Sequence, residues 1–424
     1  MRDHSKKKYW TLRYTLLNAT YFAAFCALHA YAAVYLLAHG FSNTEVGILL
    51  AVANITSAFL QPLVAGIIDK QGWLTNRRFI LIAVLSIIAG ALLLLFIPDI
   101  KAAIFVIYAF IYMVQFVYQP IMIALCFEYQ RAGCDIYFGL ARGLGSAGFA
   151  VTSALIGSAI EKNGVSVLLF VTIAMMVISA VVILTFVKPG QSGENALPDE
   201  NASEMADEGA KKDAAGPEKT AGEDKAHNNI VDFAKTYPAF MLFMVATVFF
   251  FFSHNMINDF MIQIVRSLGG AETVLGYAGF LQAILELPVM ALIGFLYKKI
   301  SVNKMLVFSG ASFFIKILIL VFAVHLSGLF ISQFCQLFAY ALFVPASAYY
   351  VSTTMGEYDQ VKGQAYINSA ITVGGVFSNL ISGVILDRLG VKDMLIAGSI
   401  VCFVGVIIGF VAMTRLSHRK AEGA

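Results

Sequence analysis

Again and again this chain runs for about twenty residues that are almost wholly apolar, the length that crosses the ~30 Å hydrocarbon core of a bilayer as a helix. Stretches of this kind, bounded by charge or turn residues, fall at 14–38, 46–68, 79–97, 102–127, 139–160, 165–187, 236–265, 273–297, 305–324, 326–352, 363–386 and 394–414. A chain that is 59% hydrophobic and 13% charged has no use for so many such runs except in lipid. There every backbone polar group must be satisfied internally, which leaves helices or a closed barrel. Barrel strands alternate apolar and polar residues over about ten positions, and these runs do not alternate. The expected fold is an all-α membrane protein with twelve transmembrane helices.

The start, MRDHSKKKYWTLR, leads straight into the first run without a small-residue cleavage site, so it reads as an uncleaved anchor. The short loops divide sharply by charge. One side collects Lys6, Lys7, Lys8, Lys70, Arg77, Arg78, Arg131, Lys298, Lys299, Lys304, Arg415, Arg419 and Lys420. On the other side, Lys162 sits beside Glu161 and Arg388 beside Asp387. The positive-inside rule then predicts cytoplasmic termini in a multi-pass protein of the cell (inner or plasma) membrane. The net charge of +3 carries no nucleic-acid signal. Five scattered cysteines, Cys26, Cys126, Cys134, Cys335 and Cys402, suit apolar packing and give no disulfide framework.

Residues 188–232 break the pattern. They hold eleven acidic and five basic residues with Pro and Gly throughout, too little apolar surface to pack, so a disordered cytoplasmic linker is expected there. It divides the chain into an N-terminal six-helix bundle, 1–187, and a C-terminal one, 233–424. A finer symmetry lies beneath. GSAIEKNG at 157–164 and GVILDRLG at 383–390 share Gly, three residues, acid, base, one residue, Gly. AGIIDKQG at 65–72 keeps all but the first Gly, and GFLYKKIS at 294–301 is a worn fourth copy. The four copies begin 92, 137 and 89 residues apart, and the 45-residue linker accounts for the longer interval. Each unit therefore holds three spans, and an odd number forces successive units to point opposite ways across the membrane, an inverted repeat.

Against this background the intramembrane charges stand out. Glu286 lies near the middle of 273–297 and Lys316 near the middle of 305–324. Each costs about 2.5 to 3.5 kcal/mol at mid-membrane on insertion scales, so neither is expected to face lipid. They read either as an ion pair joining two helices or as a titratable, ligand-binding carboxylate with a cation that tunes it. Pro288 beside Glu286 would kink its helix. The seventh span ends in His254, Asn255, Asn258, Asp259 and Gln263. Asp259 is there a proton-carrying group on a polar pathway or a solvated interfacial charge. His29 is the one potentially charged group in the first span and reads as a packing histidine or a proton relay. Counted from a helix start near residue 136, Arg142 sits about 9 Å inside the fifth span at 1.5 Å per residue. Phe149, seven residues on, shares its face, a pairing suited to a hydroxylated or anionic ligand with an apolar side. A snorkelling arginine over a packing phenylalanine is the alternative.

These residues bring the chain close to a known family. FLQPLVAGIIDKQG, with Arg77 and Arg78, resembles the major facilitator superfamily's motif after the second helix. ARGLGSAGF and LELP resemble the fifth and eighth helices of the lactose permease and oligosaccharide:proton symporter group. The resemblance covers all twelve spans and implies the major facilitator fold, two six-helix bundles with 3+3 inverted repeats in each. It implies that Asp69, Gly72, Arg77 and Arg78 form a conformational latch, and that Arg142, Phe149, Glu286 and Lys316 bind substrate. Proton coupling would rest on Glu286 and Asp259. Departures are plain too: Tyr340 and Phe343 stand where the permease has its coupling His and Glu. Ile371 replaces the eleventh-helix Lys, Glu128 lies about a turn from the galactoside-binding position, and Ala65 replaces the latch motif's first Gly.

The expected function is secondary active transport of a small polar solute, a sugar or oligosaccharide in symport with protons, by a monomer embedded in the lipid bilayer. No cofactor, metal or nucleic acid is expected, and no catalytic motif of an enzyme is present in the sequence. A drug, organic-acid or nucleoside transporter of the same fold and a non-transporting membrane sensor are the alternatives.

Overall fold

A computed structural model describes residues 4–70, 72–187 and 230–416. The described residues are helical throughout their ordered elements, with no strands. The N-terminal half comprises α1 (His4–Phe25), α2 (Ala32–Ala38), α3 (Asn43–Asp69), α4 (Asn76–Phe96), α5 (Lys101–Arg131), α6 (Phe138–Asn163) and α7 (Val167–Leu184). The C-terminal half comprises α8 (Ile230–Thr236), α9 (Pro238–Asp259), α10 (Met261–Ser267), α11 (Glu272–Lys299), α12 (Val302–Val321), α13 (Leu326–Phe334), α14 (Tyr340–Thr354), α15 (Glu357–Arg388) and α16 (Val391–Phe410). Ten of the described helical stretches are long and apolar enough to cross a membrane, and two bent pairs bring the number to twelve. Most of the expected linker, 188–229, lies outside the described residues, and its end differs from expectation: 230–232 already belong to α8. An amphipathic Ile-Val-x-Phe start packs Phe233 into the core, where it is fully buried.

Helix boundaries follow local chemistry. Ser42 and Glu45 form a reciprocal capping box at the start of α3, and Pro238 opens α9, where its missing N–H costs nothing. The first span is bent by 47° at Tyr31, just after a π-helical turn over Cys26–Ala30. The eighth is bent by 56° just after Pro288 and Val289. Within the N-terminal half, tyrosine hydroxyls satisfy backbone carbonyls of neighbouring helices, as Tyr21 does for Gln115 at 3.0 Å and Tyr108 for Leu28 at 2.7 Å. That is how an apolar bundle buries a polar tip without leaving it unpaired. Large apolar side chains such as Phe59, Leu63, Phe96, Val106 and Phe322 project outward, an exposure that suits lipid.

The halves meet along two helix pairs, α3 with α15 and α6 with α11. Both contacts are concentrated at the face opposite the chain ends, here the distal face; the face where α1 starts and the last helix stops is the terminal face.

Candidate functional site

The octapeptide repeats explain the distal contacts. Gly157 in α6 lies against the backbone carbonyl of Glu272, and Gly383 in α15 lies against that of Asn43; any Cβ at either position would collide with main chain. Four residues on, the acid of each motif reaches the start of the opposing helix. Glu161 accepts the N–H of Thr273 at 2.7 Å. Asp387 accepts the N–H of Asn43 at 3.0 Å, its side-chain amide at 2.8 Å and the N–H of Thr44 at 2.7 Å. Each acid thus satisfies N–H groups that a helix start leaves orphaned and complements its dipole. The closing Gly ends each helix with φ near +82° at Gly164 and +91° at Gly390, where a side chain would be strained. Deeper in, Gly47 meets Asn379, and Ser153 Oγ donates to the Gly276 carbonyl at 2.9 Å.

Toward the terminal face the halves part. Gly66 on α3, Gly139 and Gly143 on α6 and Gly294 on α11 have open space where a Cβ would stand. Asp69 is exposed and no described residue pairs with it. Arg77 donates instead to the carbonyls of Ile183 and Leu184 at 3.2 and 2.9 Å, Arg78 to that of Trp73, and Gly72 is exposed. The expected latch residues are therefore apart from the C-terminal half in this conformation.

Arg142 and Glu286 lie at similar depth on the two halves, on the terminal side of the Ser153–Gly276 seal. From that seal, eleven residues back along α6 reach Arg142 and ten residues along α11 reach Glu286, roughly 16 and 15 Å at 1.5 Å per residue. They lie within electrostatic reach of each other and of Tyr340. The guanidinium stacks on Phe22 of α1, 4.1 Å from the ring centre, and donates to Ser146 Oγ at 3.3 Å. Phe149, expected to share this space, is half-buried against the apolar core, so the aromatic plane beneath Arg142 is Phe22.

Glu286 and Lys316 are joined through a third residue. Lys316 Nζ donates to Gln336 Oε1 at 2.7 Å, and Gln336 Nε2 donates to Glu286 Oε1 at 3.0 Å. Lys316 and Gln336 are fully buried. Asp259 lies elsewhere, at the end of α9, where Asn379 of α15 and Tyr112 of α5 are its polar neighbours; no described cation pairs with it. His29 is enclosed by Phe25, Tyr112 and Phe116, with ring centroids 4.1, 3.7 and 4.4 Å away, and both its ring nitrogens are buried without a hydrogen-bond partner among the described residues. His254 stacks on Tyr340 at 5.1 Å and bonds Asn258 at 2.9 Å. No group of three His, Cys, Asp or Glu among the described residues could hold a metal.

A sequence model of the MFS_1-like family matches residues 9–397. The chain belongs to the MFS_1-like family. No curated protein sequence matches it significantly. Among solved structures, this MFS_1-like chain is similar to a point variant of the nucleoside transporter NupG. That match has a TM-score of 0.73 at 14% identity, over 95% of this chain and 98% of the other. It is also similar to a bacterial homologue of the human lysosomal transporter Spinster, in an inward-facing, unoccupied conformation. There the TM-score is 0.63 at 12% identity, over 97% and 98%. An auto-inhibited peptide transporter of the POT family gives 0.69 at 11% identity, over 95% of each chain. At these identities the likeness is one of fold, and it is the major facilitator fold that the sequence predicts.

Gln336 and Phe22 escape the sequence reading, as does the capping role of Glu161 and Asp387. A polar residue amid FCQLF was the available signal for Gln336, while Phe22 looks like any other core aromatic.

Proposed function

We propose that this MFS_1-like protein is a secondary active transporter that carries a small hydroxylated solute with protons by alternating access. The observation that supports the reading best is a cation on an aromatic plane, Arg142 over Phe22, within electrostatic reach of the Glu286–Gln336–Lys316 chain. A sugar or oligosaccharide fits this chemistry through hydroxyls bonded to both charges and a ring face laid on the aromatic wall. A nucleoside offers the same hydroxyls with a flat base, and the fold likeness to a nucleoside transporter favours keeping it as the second substrate class.

With the Lys- and Arg-rich loops cytoplasmic, the terminal face is the inner one and the conformation is inward-facing. Glu286 is the proposed coupling carboxylate and Asp259 a second proton site at the distal end of the pathway. Phe149 lies further along the same helix as Arg142 and contributes apolar wall to the substrate region. Asp69, Gly72, Arg77 and Arg78 form the latch of the opposite, outward-facing state. The chain works as a monomer in the cell membrane.

The test is a screen of sugars and nucleosides for solute-induced alkalinisation outside energised vesicles, followed by uptake with Glu286→Gln. The variant is expected to lose accumulation against a gradient while retaining exchange. Unchanged accumulation removes Glu286 from coupling, and absence of any solute flux favours a sensor.

A further inference from the structure

The tenth span is broken at mid-membrane. α13 ends at Phe334, a tight 3₁₀ turn covers Cys335–Leu337, Ala339 leaves helical geometry at φ −79°, ψ −92°, and α14 restarts at Tyr340. Ser309 of α12 donates to the Ala339 carbonyl at 2.7 Å, a second bond beside the 3.0 Å one that this carbonyl accepts from the Phe343 N–H as α14 restarts. Gln336 sits inside this break. On the partner span, Glu286 sits three residues before the point where α11 bends by 56°, between Glu272–Val289 and Leu292–Lys299. Beyond the two breaks the arms are held together: Tyr297 of α11 stacks on Tyr349 of α14 with centroids 4.0 Å apart and planes 14° from parallel. Two broken helices thus pack on each other beyond their hinges and are joined by a side-chain hydrogen bond beside them.

The hydrogen bond has specific chemistry. A lysine ammonium only donates and a carboxylate only accepts, so a residue bridging them must accept at one end and donate at the other. A primary amide does this with its dipole aligned between the two charges. Its bond to an ionised carboxylate is about twice as strong as one to a neutral acid. The titratable groups facing Glu286 are Lys316 from α12, Arg142 from α6 and Tyr340 from α14; Cys335 and His254 flank Lys316.

We propose that Gln336 is a positioning residue that ties the charge on Glu286 to the angle of the inner arms of the eighth and tenth spans. It rests on the reading that Glu286 exchanges protons. With Glu286 ionised, the amide is held at both ends and the α11 and α14 arms are fixed. With Glu286 protonated, the bridge weakens at one end and the arms swing as a unit about 290–291 and 335–339. A solute that displaces the amide from Glu286 acts on the same hinge.

The experiment places spin labels at Ala132→Cys, on the terminal face of the N-terminal half, and Ser352→Cys, on the α14 arm. The background is full-length protein whose five cysteines are replaced by alanine. Distance distributions are recorded in lipid nanodiscs in mildly acidic and mildly alkaline buffer, with no solute added. The parent distribution is expected to change with pH, and Glu286→Gln to hold the acidic distribution in both buffers. Gln336→Met, close in shape but unable to bridge, loses the pH response, and Gln336→Asn, which keeps donor and acceptor on a shorter arm, retains it in part. A parent that ignores pH overturns the proposal. So does Gln336→Met following the parent, or, should that variant not fold, Gln336→Asn responding no less than the parent. A protein that moves no protons with any solute, yet whose distances follow pH through Gln336, would overturn the proposed symport alone.

Discussion

Removing the Asp387 carboxylate tests the distal seal directly. In the observed conformation it receives three hydrogen bonds at the start of α3, two of them from backbone N–H groups that no other residue satisfies. Once the distal side opens, those groups turn to water, so only the net advantage of protein over water partners counts. Loss of a capping side chain costs typically about 1 kcal/mol. Loss of a charge at a helix N-terminus costs about 0.5 kcal/mol more where solvent screens it, as it does at this exposed site. The sum, about 1.5 kcal/mol, is roughly a tenfold shift in the ratio of distal-closed to distal-open protein. Asp387→Ala is expected to show that shift. Asp387→Asn keeps one accepting oxygen but turns the other into a donor, so it loses the charge and one of the two backbone bonds; it is expected to shift the ratio roughly fivefold, about 1 kcal/mol. Spin labels at Ile100→Cys and Val324→Cys, exposed on distal loops of the two halves, would report the open population as a longer distance component. An Asp387→Ala distribution identical to the parent's would refute the capping argument, and equal effects of Ala and Asn would refute its division into cap and charge.

Gly157→Leu forces a side chain into the Glu272 carbonyl and should populate distal-open protein well beyond Asp387→Ala, read in the same distance measurement. Ser309→Ala removes one of the two bonds to the Ala339 carbonyl, which keeps that of the Phe343 N–H, and should cost about 0.5 to 1.5 kcal/mol, seen as a lower thermal midpoint in detergent. Arg142→Lys keeps the charge and loses the planar face on Phe22. Solute affinity measured by counterflow should fall about three- to thirtyfold, for a loss of roughly 0.5 to 2 kcal/mol.

Much of the architecture was written along the chain because a bilayer leaves so few options. Uninterrupted apolar length dictates a spanning helix, and the spacing of four short motifs dictates inverted three-helix units. The same solvent argument singled out Glu286, Lys316 and Arg142: a charge at mid-depth must turn inward, whatever it touches. Sequence alone left the partners of these charges open. That Gln336 stands between Glu286 and Lys316 depends on a break in the tenth span, and FCQLF shows no proline or glycine to announce it. That Arg142 lies on Phe22 rather than beside Phe149 depends on how α1 crosses α6. The repeated octapeptides were legible as symmetry, whereas the work of the two distal copies, Gly157 and Gly383 admitting a neighbouring backbone and Glu161 and Asp387 capping it, exists only when two halves meet. Local pattern records how each segment meets lipid, and contacts between segments far apart in the chain decide what each buried charge is bonded to.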